Sequence, residues 1–122
     1  MLKLPASTKI YLCSQPIDMR LSFDALSGLV QTQIGQNPLC GHLFVFFSRR
    51  RDRMKVLFWH LDGFVLYYKR LERGTFSWLC DTITGDNPEI SSTEFSLLLE
   101  GINPLRITSR SRNGKAQQAS LV

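Results

Sequence analysis

Apolar and polar residues alternate with changing rhythm along this chain, and each rhythm predicts a different element. Lys9 to Cys13 reads as a short strand that Gln15-Pro16 interrupts. Phe23, Leu26, Leu29, Val30 and Ile34 then recur near the helical period, which predicts a helix over 23–34 with one buried stripe. Ser22 is suited to its N-cap, Asp24 to its first turn and Gly35 to its stop. Gly28 lowers helix propensity by about 1 kcal/mol relative to Ala, a cost that close packing against a sheet would explain. Leu43 to Phe47 is a compact apolar run with the length of a buried strand.

Arg53–His60 and Phe64–Leu71 are two further strands around Asp62-Gly63, a strong hairpin signal. With Asp62-Gly63 as a two-residue turn, one face pairs Trp59 with Leu66, Leu57 with Tyr68, Lys55 with Arg70 and Arg53 with Glu72. The other pairs His60 with Val65, Phe58 with Tyr67, Val56 with Lys69 and Met54 with Leu71, and is the more continuously apolar, core-facing side. Gly74 leads into a brief strand over Thr75–Leu79, and Asp81–Glu89 reads as a polar loop. Ser91-Ser92-Thr93-Glu94 has the spacing of a capping box opening a second helix to about Glu100, with Phe95, Leu98 and Leu99 facing inward. These elements predict a small α+β domain over 1–102: an antiparallel β-meander with two packed helices. Residues 103–122 are rich in Arg, Ser and Gln, lack aromatics, and read as a flexible basic tail.

At 122 residues the chain suits one domain with a genuine core. No run reaches the roughly 18 apolar residues of a membrane span, and the N-terminus lacks a secretory h-region, so a cytoplasmic location is expected. Cys13, Cys40 and Cys80 are odd in number and far apart, which argues against a zinc site or a disulfide framework and for reduced, mostly buried thiols. No Gly-rich phosphate loop of either common type is present.

Charge changes the picture more. The formal net charge is +5, but residues 43–79 carry +5, residues 80–102 carry −5 and the tail carries +4. Arg49, Arg50, Arg51, Arg53, Lys55, Lys69, Arg70 and Arg73 stand in the basic block against only Asp52, Asp62 and Glu72. Such a concentration repels itself in a compact chain, and contact with a polyanion is its natural use, chiefly through guanidinium forks. Solvated edge protection is the structural alternative. Trp59, Tyr67, Tyr68 and Phe76 are candidates for stacking on unpaired bases or for a protein interface, against the competing demand for core packing. Asp18 and Arg20 precede the first helix and are suited to anchoring it. His42 and His60 have no spacing that defines a catalytic pair, and no cofactor or metal is implied, so independent catalysis is not expected.

Several stretches in order carry a resemblance: Pro16-Ile17-Asp18-Met19-Arg20, Phe23-Asp24-Ala25-Leu26, Gly41-His42-Leu43-Phe44-Val45-Phe46 and Asp52-Arg53-Met54-Lys55-Val56-Leu57-Phe58-Trp59. Asp62-Gly63-Phe64, then Tyr68-Lys69-Arg70-Leu71-Glu72-Arg73-Gly74-Thr75-Phe76, and finally Leu97-Leu98-Leu99-Glu100-Gly101-Ile102 complete the series. Together they resemble the small Orf2 accessory protein of IS66-type insertion sequences, over roughly residues 2–102. Trp78 departs from the usual pattern in being followed by Leu79-Cys80 rather than Pro. The resemblance implies a helper in DNA transposition acting beside a separate DDE transposase, with no catalytic centre to carry over. Two partner readings follow: DNA at the basic hairpin region, or the transposase docked on an acidic side that includes Glu94 and Glu100. RNA binding is a third reading, and no oligomeric state is implied.

Overall fold

The computed structural model describes residues 7–76 and 89–100. Five strands form one sheet: β1 (Ile10–Leu12), β2 (Leu43–Phe47), β3 (Arg53–His60), β4 (Gly63–Arg70) and β5 (Glu89–Ile90), in the order β4-β3-β2-β1-β5. Helix α1 (Phe23–Leu29) continues into a wider π turn over Val30–Ile34, and α2 spans Ser92–Glu100. Among the described residues the sheet is mostly antiparallel with two helices, a small α+β domain.

The β2-β3-β4 meander is the one expected. Beyond it, β1 pairs with β2 in parallel, Ile10 opposite Leu43, and β5 pairs antiparallel with β1. Parallel neighbours need a crossover, and α1 with its π turn supplies it. Glu89, expected in a loop, is instead in β5 opposite Tyr11. The strand expected over Thr75–Leu79 lies mostly outside the described residues, and Thr75 and Phe76 have no strand geometry. Cys80, the rest of the 81–89 loop and the 103–122 tail also lie outside them.

The sheet is covered on both faces. On one, Met54, Val56 and Phe58 pack with Phe47, Phe76 and the α2 residues Phe95, Leu98 and Leu99. On the other, Tyr11, Phe44, Phe46 and Leu57 pack with Leu26 and Val30 of α1. All of β2 is therefore buried, which is why it reads as an unbroken apolar run rather than an alternation. Within the expected α1 stripe, Leu26 and Val30 are buried whereas Phe23 is largely exposed. The hydroxyl of Ser22 makes no capping bond, and a Cβ on Gly28 would meet nothing within 4 Å, so close packing does not explain that glycine. The α2 capping box does form: Ser91 Oγ accepts from the Glu94 N–H at 3.0 Å, and Glu94 Oε1 accepts from the Ser91 N–H at 3.0 Å.

The hairpin differs from the expected register. Its turn is Leu61-Asp62, and His60 pairs with Gly63, Trp59 with Phe64, Leu57 with Leu66, Lys55 with Tyr68 and Arg53 with Arg70. The shift places Leu61 at φ 54°, a left-handed conformation that costs a non-glycine residue about 1–2 kcal/mol. In return the Trp59 and Phe64 rings meet edge-to-face at 5.1 Å, Leu57 faces Leu66, and Lys55 escapes Arg70 for the Tyr68 ring. Cross-strand aromatic contacts of this kind outweigh the local preference for Asp-Gly at the turn. Because the slip is two residues, every side chain keeps its expected face.

Candidate nucleic-acid interface

The basic stretch after β2 is a tight turn tied by its own polar groups. The Ser48 N–H donates to the Arg53 carbonyl and the Arg51 N–H to the Ser48 carbonyl, each at 3.0 Å. The Ser48 hydroxyl donates to Asp52 Oδ1 and accepts from the Arg53 N–H, both at 3.1 Å. Arg51 sits at φ 62°, completing the reversal. Asp52 is thereby engaged inside the turn, while Arg49 and Arg50 project from it exposed.

A second segment lies beside this turn. The Ile17 N–H donates to the Phe47 carbonyl at 2.9 Å, and Ile17 forms a parallel bridge with Ser48. Asp18 then makes a closed local unit with Arg20. Its Oδ1 accepts the Arg20 backbone N–H at 2.9 Å, and its Oδ2 accepts the guanidinium at 2.7 Å. The Arg20 guanidinium bonds, followed by that backbone bond, lower the Asp18 pKa to about 2, while Asp18 raises that of Arg20. Asp18 and Arg20 thus make the hydrogen-bonded ion pair that their spacing before the first helix suggested.

Between the two segments and β4 lies an open cleft of about 610 Å³. Asp18 and Arg20 form one wall, Ser48, Arg49, Arg50, Asp52 and Arg53 another, and Tyr68 a third. Its volume falls within the roughly 300–1,000 Å³ of ligand clefts. Four guanidinium groups face two carboxylates there. Arg20 is answered by Asp18, whereas the side chains of Arg49, Arg50 and Arg53 have no ion-pair partner among the described residues. The Asp18-x-Arg20 spacing was legible as a local lock, but nothing local placed it opposite residues more than twenty-five positions further along.

The remaining candidates separate sharply. Lys55 is buried, and its ammonium donates to the carbonyls of Met19 and Leu21 at 2.7 Å each while lying 4.8 Å from the Tyr68 ring centroid. Lys69, on the opposite face, donates to the Leu99 carbonyl at the end of α2. Both lysines fasten covering segments to the sheet, and neither lines the cleft. Arg70 is exposed on the cleft face of β4 and pairs with Glu72 at 3.1 Å, and Arg73 is exposed further along. Arg51 is half-buried.

Among the aromatic candidates, Phe76 is fully buried against Phe47, so it offers no stacking surface. Tyr67 packs in the α2-side core and Trp59 is half-buried on Phe64, leaving Tyr68, at 50% exposure, as the open ring. Glu94 is half-buried and committed to the capping box; the side chain of Glu100 lies outside what the structure describes. His42 Nδ1 accepts the Lys9 N–H at 3.0 Å, while His60 is exposed at the hairpin end. Among the described residues no three His, Cys, Asp or Glu side chains converge as metal ligands, and no helix is long and apolar enough to cross a membrane.

Comparison with known proteins places this sequence in a family. Two curated relatives from Sinorhizobium fredii (strain NBRC 101917 / NGR234) resemble the chain. Uncharacterized protein y4jC is 33% identical over 99 residues, covering 81% of this chain and 83% of its own length. Uncharacterized protein y4hO is 36% identical over 103 residues, covering 84% and 88%. No solved structure matches significantly. The family model described as IS66 Orf2 like protein matches residues 8–109, which takes in the cleft, the sheet and α2. The chain belongs to the IS66 Orf2-like family, and with it to the insertion-sequence proteins.

Proposed function

We propose that this protein is a non-catalytic accessory factor in transposition of an insertion sequence, and that it contacts the element's DNA through the arginine-lined cleft while acting beside a DDE transposase in the cytoplasm. Family membership supports the role in transposition and the association with an element-encoded transposase. The observation that carries DNA contact is the convergence of Arg49, Arg50 and Arg53, without ion-pair partners among the described residues, on one cleft. Guanidinium groups so placed neutralise phosphates and release counterions, making affinity fall steeply with salt. The contact positions the protein and does not by itself read sequence.

The test is a salt series with labelled element-end and scrambled duplex, using the full-length chain and a chain truncated after Ile102. Replacing Arg49, Arg50 and Arg53 together by Ala should flatten the plot of log affinity against log salt by about 0.7–0.9 per lost phosphate contact. Binding that survives the truncation but not the triple replacement supports the cleft. Absence of binding at low salt removes direct DNA contact and moves transposase docking into first place. For docking, Glu100 is the cleaner charge-reversal site, because reversing Glu94 also breaks the α2 capping box.

A further inference from the structure

The shape of the cleft narrows the form of nucleic acid it suits. This inference rests on the DNA-contact reading above. A duplex is met by elements that project into a groove, such as a helix or a two-stranded ribbon. Here the described helices turn apolar residues to the sheet, and the β3–β4 ribbon carries its basic groups at the end away from its turn, beside the Asp18–Arg20 segment, where they line a concavity. Tyr68, at 50% exposure, stands between two hollows. On one side is the 610 Å³ cleft with Arg20, Arg49, Arg50 and Arg53; on the other is a hollow of about 340 Å³ lined by Tyr68, Arg70 and Glu72.

Tyr68 is also held from behind. The Lys55 ammonium lies 4.8 Å from its ring centroid and is itself pinned by the Met19 and Leu21 carbonyls. A ring backed by a fixed cation is already ordered, so stacking costs little further entropy. Arg53 and Arg70, directly opposed across β3 and β4, form like-charged neighbours beside it. Such a pair is unfavourable alone and becomes favourable once a phosphate lies between the two groups. Glu72 answers Arg70 only through one exposed contact at 3.1 Å. A ring flanked by phosphate-binding groups is the arrangement that single-strand binders use, because every base offers a face for stacking.

We propose that this face takes an unpaired DNA strand, with a base stacked on Tyr68 and the neighbouring phosphates on Arg50, Arg53 and Arg70. Fluorescence anisotropy of the full-length protein would compare a labelled thymidine oligonucleotide of about 15 nucleotides, its duplex with adenine and the matching uridine RNA. The single DNA strand should bind at least about tenfold tighter than the duplex at equal salt. Tyr68→Leu should weaken single-strand binding by about tenfold while leaving duplex binding within about twofold, and Tyr68→Phe should bind as the unaltered chain does. Irradiation of the unaltered protein with an iodouracil-substituted strand should crosslink Tyr68, a readout that needs no variant to fold. Duplex binding equal to or tighter than single-strand binding, with Tyr68→Leu inert and no crosslink at Tyr68, overturns the unpaired-strand proposal and leaves DNA contact standing. Binding of neither form overturns both. Preference for RNA overturns the DNA assignment.

Discussion

The two faces of the β3–β4 ribbon are made by the same sixteen residues and end very differently. On the α2 side, Met54, Val56 and Phe58 continue the core of β1 and β2, Tyr67 and Leu71 pack against its rim, and Phe76 and Phe95 complete it. On the α1 side the apolar packing stops after Leu57 and Leu66, and Lys55, Tyr68, Arg53 and Arg70 follow. At the end far from the hairpin turn, one face is therefore closed while the other opens into a charged cleft. The lesson lies in how cations are sorted. Where backbone carbonyls cross the sheet, a lysine stem lies on the apolar surface and its ammonium is consumed by them, as with Lys55 and Lys69. Where the described residues supply no such acceptors, as beside Arg49, Arg50 and Arg53, the charge is left for solvent or an anion.

The sharpest way to break this contrast is through the core. Phe95→Ala on the closed face should cost about 3–5 kcal/mol, whereas Tyr68→Ala on the open face should cost about 1 kcal/mol or less, measured by urea midpoints. Equal costs would mean that Tyr68 is a core residue and the faces are not distinct. Lys55→Met should come next, losing about 2–3 kcal/mol because two carbonyls lose a charged donor. The same replacement should leave the salt dependence of DNA binding unchanged in the folded protein. A flattened salt slope would return Lys55 to the group of phosphate contacts.

The smallest expected effect comes from the exposed pair at the rim of the cleft. Because Asp18 is held at about 2, below its ordinary 3.8, its contribution to stability is present above that ordinary value and is lost as pH falls through the lowered one. The difference in urea midpoint between the unaltered chain and Asp18→Asn should therefore narrow as pH drops from about 5 to about 2. A gap that stays constant over that range would show that the pair does not anchor the segment leading into α1.

Much of this was readable from neighbouring residues alone. Ser91 and Glu94 declare the α2 cap because both partners lie within one turn. Leu43 to Phe47 declares a buried strand because both faces need apolar groups. The two faces of the hairpin were also legible, since face membership depends only on parity and survives a two-residue slip. The turn itself was not. Asp62-Gly63 favours one register locally, but the meeting of Trp59 with Phe64, Leu57 with Leu66 and Lys55 with Tyr68 favours another, and that sum is taken across the whole ribbon.

Local patterning therefore located β1 to β4 and the two described helices, the apolar side of the hairpin, and the gathering of positive charge between residues 49 and 73, while β5 escaped it. Contacts between distant segments set the parallel pairing of β1 with β2, the use of Lys55 and Lys69 on carbonyls, and the gathering of Arg49, Arg50, Arg53 and Tyr68 around one cleft. The two differ in range. Periodicity and capping are settled within a few residues, whereas the fate of a charge depends on which distant backbone atoms arrive beside it.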